Sequence, residues 1–277
     1  MRLALKNEPN ILDERSLKLR RTVVKMLEAA NRGHLASAFS LIEILRVLYD
    51  DILKFNPNEP RWIQRDRCIL SKGHGCLALY AVLQDKGFFP ESELWRLCKT
   101  NGILGGHPEF GKVPGVEAST GSLGHGLAIG IGFALRARID KLAYRTWVTV
   151  GDGECNEGSI WEGALCAGKH KLENLTVVVD YNKYMSYGPT HVVQDLEPFL
   201  EKWKSFGFAA VDVDGHNVND LKKVFAQIPI VKDRPSVVIC HTIKGKGVSF
   251  TENNLQWHHK TTITPEEVNS LITELGG

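Results

Sequence analysis

Apolar positions recur with helical spacing over residues 14–31, where Leu17, Leu19, Val23, Val24, Met26 and Leu27 predict an amphipathic helix. SLIEILRVLYDDIL predicts a second, opened by Ser40 and Glu43 in capping-box spacing. RCILS reads as a short strand, CLALYAVLQDKG as a helix stopped by Gly87, and PESELWRLC as a helix with Pro90 at its start. Periodicity then vanishes. Residues 99–126 form a glycine-rich stretch, and a structureless segment of that length inside a compact chain is usually functional or disordered. The helix LAIGIGFALRARIDK follows, its repeated small residues suited to close packing. Beyond it the pattern alternates: strand 146–150, helix near 159–169, strand 175–180, strand FAAVDVD, helix NDLKKVFAQI and strand PSVVICHTI. TPEEVNSLITEL closes the chain as a helix, with Thr264 as N-cap and Pro265 at its first position. Such alternation predicts an α/β fold, a parallel sheet with helices on both faces. Ligands of these sheets bind beyond the carboxyl ends of the strands.

Composition narrows the classes. The 277 residues are 43% hydrophobic and 24% charged, with net charge +2. That is ordinary globular composition, enough for one large domain or two small ones, and no basic arm suggests nucleic acid. No apolar run is long enough for a membrane span, and MRLALKNEPN has no secretory-signal core. The six cysteines form no CxxC pair. A soluble cytoplasmic protein with reduced thiols is expected.

One strand end carries chemistry. GDGECNEG follows the apolar run YRTWVTV. By itself Gly-Asp-Gly is more often a tight turn. The same residues also suit a diphosphate bound with a divalent cation. Gly151 and Gly153 permit close backbone approach, Asp152 is a hard oxygen ligand, and a helix N-terminus beyond them favours phosphate. Asn182, just past the next strand, supplies a second oxygen, and two such residues at consecutive strand ends signal more than either alone.

GDGECNEGSIWEG followed by DYNKY resembles the thiamine diphosphate signature. NRGHLAS, RDRCILSKGHG, GGHPE, GVEASTGSLGHG, VDGHN, KGKG and WHHK, in that order, are similar to segments of transketolases. The resemblance runs from about residue 15 to about residue 260. It implies the thiamine diphosphate-binding fold of the diphosphate-binding type, as a single domain over residues 1–277. It also implies the following roles. Asp152 and Asn182 hold Mg2+ (or Ca2+ or Mn2+) by their side chains and Tyr184 by its carbonyl. Gly153 and Glu154, in the turn, contact the diphosphate. His74 and His258 reach the diphosphate or the substrate channel, and Gly121, Ser122 and Leu123 line the aminopyrimidine. Ser37 and Lys244 are further cofactor contacts, and His34 and His107 face the sugar. His34, His74, His107 and His258 are thus the candidate catalytic residues. Histidines suit a reaction in which a donor hydroxyl loses a proton and an acceptor oxygen gains one, with the cofactor as electron sink. Glu157 and Glu162 match acidic positions near a subunit interface in the family. The departures are Leu35 for the usual proline, His125 for a glutamine, His259 for a glycine, and Ser186 where a glutamine can stand. They fall on the substrate channel rather than the metal site.

The resemblance further implies a cofactor half-site. No residue here matches the family's glutamate that hydrogen-bonds the aminopyrimidine. The expectation is the N-terminal subunit of a two-subunit transketolase, moving a two-carbon ketol unit between sugars that are commonly phosphorylated. Its companion would carry the pyrimidine-binding and C-terminal domains, in an α2β2 assembly without nucleic acid or membrane. The alternatives are a transketolase for a sulfonated, branched or amino sugar, the α subunit of a 2-oxo acid dehydrogenase, and a cofactor-binding subunit without activity.

Overall fold

The runs TWVTVG and LTVVVDY form β2 (Thr146–Gly151) and β3 (Leu175–Tyr181), and every residue of both is buried. Strands that apolar must be covered on both faces. The computed structural model describes residues 12–258, 260 and 262–277; the decapeptide MRLALKNEPN and His259 lie outside the described residues. With β1 (Arg67–Leu70), β6 (Ala209–Asp214) and β7 (Ser236–His241), β2 and β3 form an all-parallel sheet of order β1–β2–β3–β7–β6. Thr146 stands opposite Leu175, and Gly151 opposite Asp180.

Alternate strand residues enter two separate cores, as the two-residue strand period requires. Trp147, Val178 and Val238 pack under α1 (Glu14–Ala30), α2 (Leu35–Phe39), α3 (Ile42–Val47), α4 (Cys76–Asp85), α9 (Val218–Ala226) and α10 (Pro265–Glu274). Val148, Val150, Val177, Val179 and Ile239 pack under α5 (Gly126–Ile139), α6 (Gly158–Lys169) and α8 (Phe199–Ser205). The expected sheet with helices on both faces is therefore observed. Among the described residues no helix is long and apolar enough to cross a membrane, and all six cysteines are free.

Small residues set two of the contacts. A Cβ on Gly130 of α5 would lie 2.4 Å from Val148 Cγ2, so the glycine lets the helix rest on β2. A Cβ on Gly168 would lie 1.9 Å from the Phe206 carbonyl oxygen, which is backbone and cannot swing away. Gly168→Ala is expected to cost about 3 kcal/mol in chemical denaturation. Gly132→Ala, with nothing within 4 Å, should leave stability level or raise it by up to about 1 kcal/mol. Equal melting of the two variants would contradict this account.

Several expectations need correction. Ser40 and Glu43 form no capping box: α3 starts at Ile42 with no side-chain cap. Ser40 Oγ instead donates to Asp180 Oδ2 at 2.7 Å, and Glu43 faces Arg20 inside the protein. PESELWRLC is a 3₁₀ turn over Glu91–Arg96, with Pro90 before it rather than in it. The helix expected near 159–169 is observed as α6, Gly158–Lys169, but a 3₁₀ turn, Gly153–Asn156, stands between it and GDG. A capping box does occur at Thr264 and Glu267. Short elements without a readable period also occur: α2, the hairpin β4 (Tyr184–Met185) and β5 (Gly188–Pro189), α7 (Thr190–Val193), and α8.

Candidate active site

Four neighbouring strands end at one recess. β1 runs into Ser71, Lys72 and a tight turn with His74 at its centre. β2 ends at Asp152, β3 at Asn182, and the segment after β7 carries Lys244. With Leu123, Gly153, Glu154, Tyr184 and His258 they enclose about 190 Å³. A wider surface recess of about 690 Å³, around Arg145 and Asn174, lies at the amino ends of β2 and β3, away from this chemistry.

The acidic side of the recess is held by backbone. Asp152 Oδ1 accepts from Gly153 N at 2.8 Å and Oδ2 from Lys183 N at 2.5 Å. Burial, reinforced by the nearby Asp180 carboxylate, pushes Asp152 up to about 6. Asn182 Oδ1 accepts from Tyr184 N at 3.1 Å, while its Nδ2 donates to Asp180 Oδ2 at 3.2 Å. Asp180 thereby fixes which way the Asn182 amide points. It also accepts from Ser40, Lys72 and Thr242. Burial alone would raise Asp180, but the Lys72 ammonium and these hydrogen bonds outweigh it and hold the carboxyl low.

Two buried lysines make the other side cationic. Lys72 is 1% exposed and Lys244 3%, although lysine is rarely buried without a reason. Lys72 pairs with Asp180. Burial, with Lys72 close by, brings Lys244 down to about 7. The same burial and the same two lysines hold His74 well below the ordinary histidine range. Its ring is therefore neutral at pH 7.

The remaining predicted residues divide into wall and rim. Glu154 is buried, and its carboxylate accepts from Ser71, from Gly124 N at 2.9 Å and from Gly151 N at 3.0 Å. It staples the glycine loop to the strand end. His34 meets His74 edge-on, with ring centroids 5.8 Å apart. Gly121 lies against the His107 ring, 3.1 Å from where its Cβ would stand, and the His107 carbonyl accepts from Tyr80. A Cβ on Gly73 would strike the Thr120–Gly121 backbone at 2.8 Å, so only glycine lets the His74 turn and the 121–123 loop close together. Ser37 is fully buried on α2, and its hydroxyl has no hydrogen-bond partner among the described residues. His34, Ser37, His107, Gly121 and Ser122 stand outside the recess itself. Leu35 is a core residue of α2 rather than a channel residue, Ser186 lies at the recess, and exposed His125 turns its Nδ1 to the Leu123 carbonyl at 2.9 Å. Glu157 and Glu162 are exposed. Sequence reasoning missed Lys72 and Asp180; the signal available was a charged residue at each of two strand ends.

Residues 13–277 match the family described as transketolase, thiamine diphosphate binding domain. This chain belongs to the transketolase family. It is 38% identical over 264 residues to an apulose-4-phosphate transketolase subunit of Phocaeicola vulgatus, covering 95% of this chain and 93% of that one. It is 37% identical over 257 residues to a 6-deoxy-6-sulfo-D-fructose transketolase subunit of a Clostridium species, with 93% of each chain covered. The transketolase of Leishmania mexicana superposes with a TM-score of 0.86 at 27% identity, over 94% of this chain. The chain spans only 40% of that transketolase's length. The 2-oxo acid dehydrogenase alternative is set aside, and the chain carries the family's thiamine diphosphate binding domain.

The residues present fit a cation and a diphosphate. Among the described residues no three His, Cys, Asp or Glu side chains converge as a metal cluster. A cation here would draw instead on one carboxylate, one amide oxygen, a carbonyl and phosphate oxygens, the set a hard divalent ion accepts. A buried carboxylate with a raised pKa gains from a cation, and two buried ammonium groups gain from an anion.

Proposed function

We propose that this chain is the diphosphate-binding subunit of a two-subunit transketolase. The observation that carries the reading is the meeting of Lys72, Asp152, Asn182 and Lys244 at four adjacent strand ends. The whole chain serves as one domain. Asp152 and Asn182 hold Mg2+ by their side-chain oxygens, and Tyr184 adds its carbonyl. Lys72, Lys244 and His258 face the diphosphate, with Gly153 leaving room for it and Glu154 fixing the wall. Gly121, Ser122 and Leu123 lie under the aminopyrimidine, and Ser37 offers its hydroxyl. When bound, the cofactor supplies an electron sink for breaking the bond beside a ketose carbonyl. Neutral His74, with His34 against it, is placed to take the hydroxyl proton, and His107 faces the sugar from the rim.

A companion chain completes the site. Two relatives of matching length are named as transketolase subunits, whereas this chain spans 40% of the Leishmania enzyme. The first ten residues of α5, GLAIGIGFAL, are apolar on every face, a pattern that calls for cover on every side. Yet its Ile129 is 37% exposed and Leu165 of the neighbouring α6 is 61% exposed. The companion's pyrimidine-binding and C-terminal domains cover that face, in an α2β2 assembly. Relatives named for a sugar phosphate and a sulfonated sugar support a ketose with an anionic end as donor. The free thiols suit a reducing cytoplasm.

The test is reconstitution. The purified chain should bind thiamine diphosphate with Mg2+ yet transfer no two-carbon unit. Adding the companion should start transfer across a panel of phosphorylated and sulfonated ketoses, with light scattering reporting the stoichiometry. Turnover by the isolated chain would refute the two-subunit reading, and a reconstituted pair inert toward every ketose would refute the reaction.

A further inference from the structure

β6 sends no side chain into the recess. Its end delivers His216 to the segment after β7 instead. His216 is 6% exposed, with Nδ1 2.8 Å from Glu43 Oε2 and Nε2 2.8 Å from Ile243 N. A backbone N–H can only donate, so Nε2 must carry the lone pair and Nδ1 the proton. Glu43, fully buried, accepts that proton in a hydrogen bond. It is itself gripped by Arg20, at 2.6 Å to Oε1 and 2.9 Å to Oε2. Arg20 also donates to the Lys246 carbonyl at 2.7 Å and to the Phe39 carbonyl at 2.9 Å.

The network therefore holds the backbone on both sides of Lys244, at Ile243 N and at Lys246 O. Other bonds finish the clamp: Gly245 N donates to the Ala36 carbonyl at 3.1 Å, and Asn253 N to the Lys244 carbonyl at 2.8 Å. Lysine has a long, flexible side chain, so a buried ammonium is only as well placed as the backbone that carries it.

We propose that His216 is a positioning residue of the cofactor site: its neutral ring, oriented by Glu43 and Arg20, fixes the Ile243 amide and so the placement of Lys244. This rests on the reading of Lys244 as a diphosphate contact. Partners that orient a ligand commonly matter about 10–100-fold in affinity.

The test is calorimetric binding of thiamine diphosphate, with saturating Mg2+, to the full chain, alongside amide hydrogen exchange of the 240–248 segment. His216→Ala should weaken binding about tenfold or more and speed exchange at Ile243. His216→Gln, whose amide oxygen can accept from Ile243, should restore most of both. His216→Asn keeps a donor toward Glu43 but falls short of Ile243, and should behave like His216→Ala; it carries the comparison if the alanine variant does not fold. Val224→Ala, a core truncation on α9, should lower stability and leave affinity unchanged. Lys244→Ala should weaken binding. If His216→Ala and His216→Asn bind within about twofold of the parent while Lys244→Ala does not, the inference is overturned and the Lys244 reading stands. If Lys244→Ala binds normally, both fall.

Discussion

Asp152→Ala should weaken Mg2+-dependent binding of thiamine diphosphate by roughly a hundredfold or more, with little change in the chain's melting temperature without ligand. Removing one partner of a buried charge pair costs about 3–5 kcal/mol, and each 1.4 kcal/mol is a factor of about ten. Asp152 is the one carboxylate at the proposed cation position, held there by the Gly153 and Lys183 amides. Without it the cation keeps only neutral protein ligands. The free chain has less to lose, because burial already pushes the Asp152 carboxyl up to about 6. Its ionised form is therefore a burden on the empty fold, and removing it offsets part of the two lost hydrogen bonds. Titration with Mg2+ and with EDTA decides the matter. Full affinity in Asp152→Ala would remove the cation from this position.

Cofactor affinity should also fall about tenfold per pH unit above neutrality. Burial, with Lys72 close by, holds Lys244 at about 7 in the free chain. A bound diphosphate favours the ammonium form, so above pH 7 binding must draw a proton from solvent, and linkage turns that uptake into lost affinity. The free chain should show the opposite slope from this group. Its folded pKa is depressed, so it subtracts the full penalty below about 7, and stability is regained as pH rises toward the unfolded lysine's value. Calorimetry in buffers of different ionisation enthalpy reads the proton uptake directly. Lys244→Met should flatten the alkaline limb, and an unchanged limb in that variant would assign it to another group.

Much of this site could be read from the chain because β2 and β3 are apolar to their last turn and then stop on Gly-Asp-Gly and Asp-Tyr-Asn. A hard-oxygen pair at consecutive strand ends has few other uses. Lys72 escaped because a lysine in a glycine turn resembles a solvated one; it is buried by Asp180, 108 residues away in the chain. Asp180 escaped because it closes an apolar run and reads as the strand's polar end. Ser40 and Glu43 have the spacing of a capping box, but Asp180 and Arg20 draw them inward, and no local pattern reports that. The segment VDGHN was visible as a family segment, yet the task of His216 depends on a backbone amide, which sequence does not display. Residues 99–126 were legible as a glycine-rich loop without periodicity; that Gly121 rests on His107 was not.

The meeting of four strand ends also makes this a chain whose ligand and fold are one equilibrium. No hairpin or fragment brings Lys72, Asp152, Asn182 and Lys244 together; the sheet must be paired from β1 to β7 before the recess exists. Parallel pairing of distant segments is slow to assemble. A ligand that binds only the finished sheet stabilises it by about 2.7 kcal/mol at a hundredfold excess over its dissociation constant. Vitamin supply would thus govern how much of the subunit survives proteolysis, as well as how much of it is active.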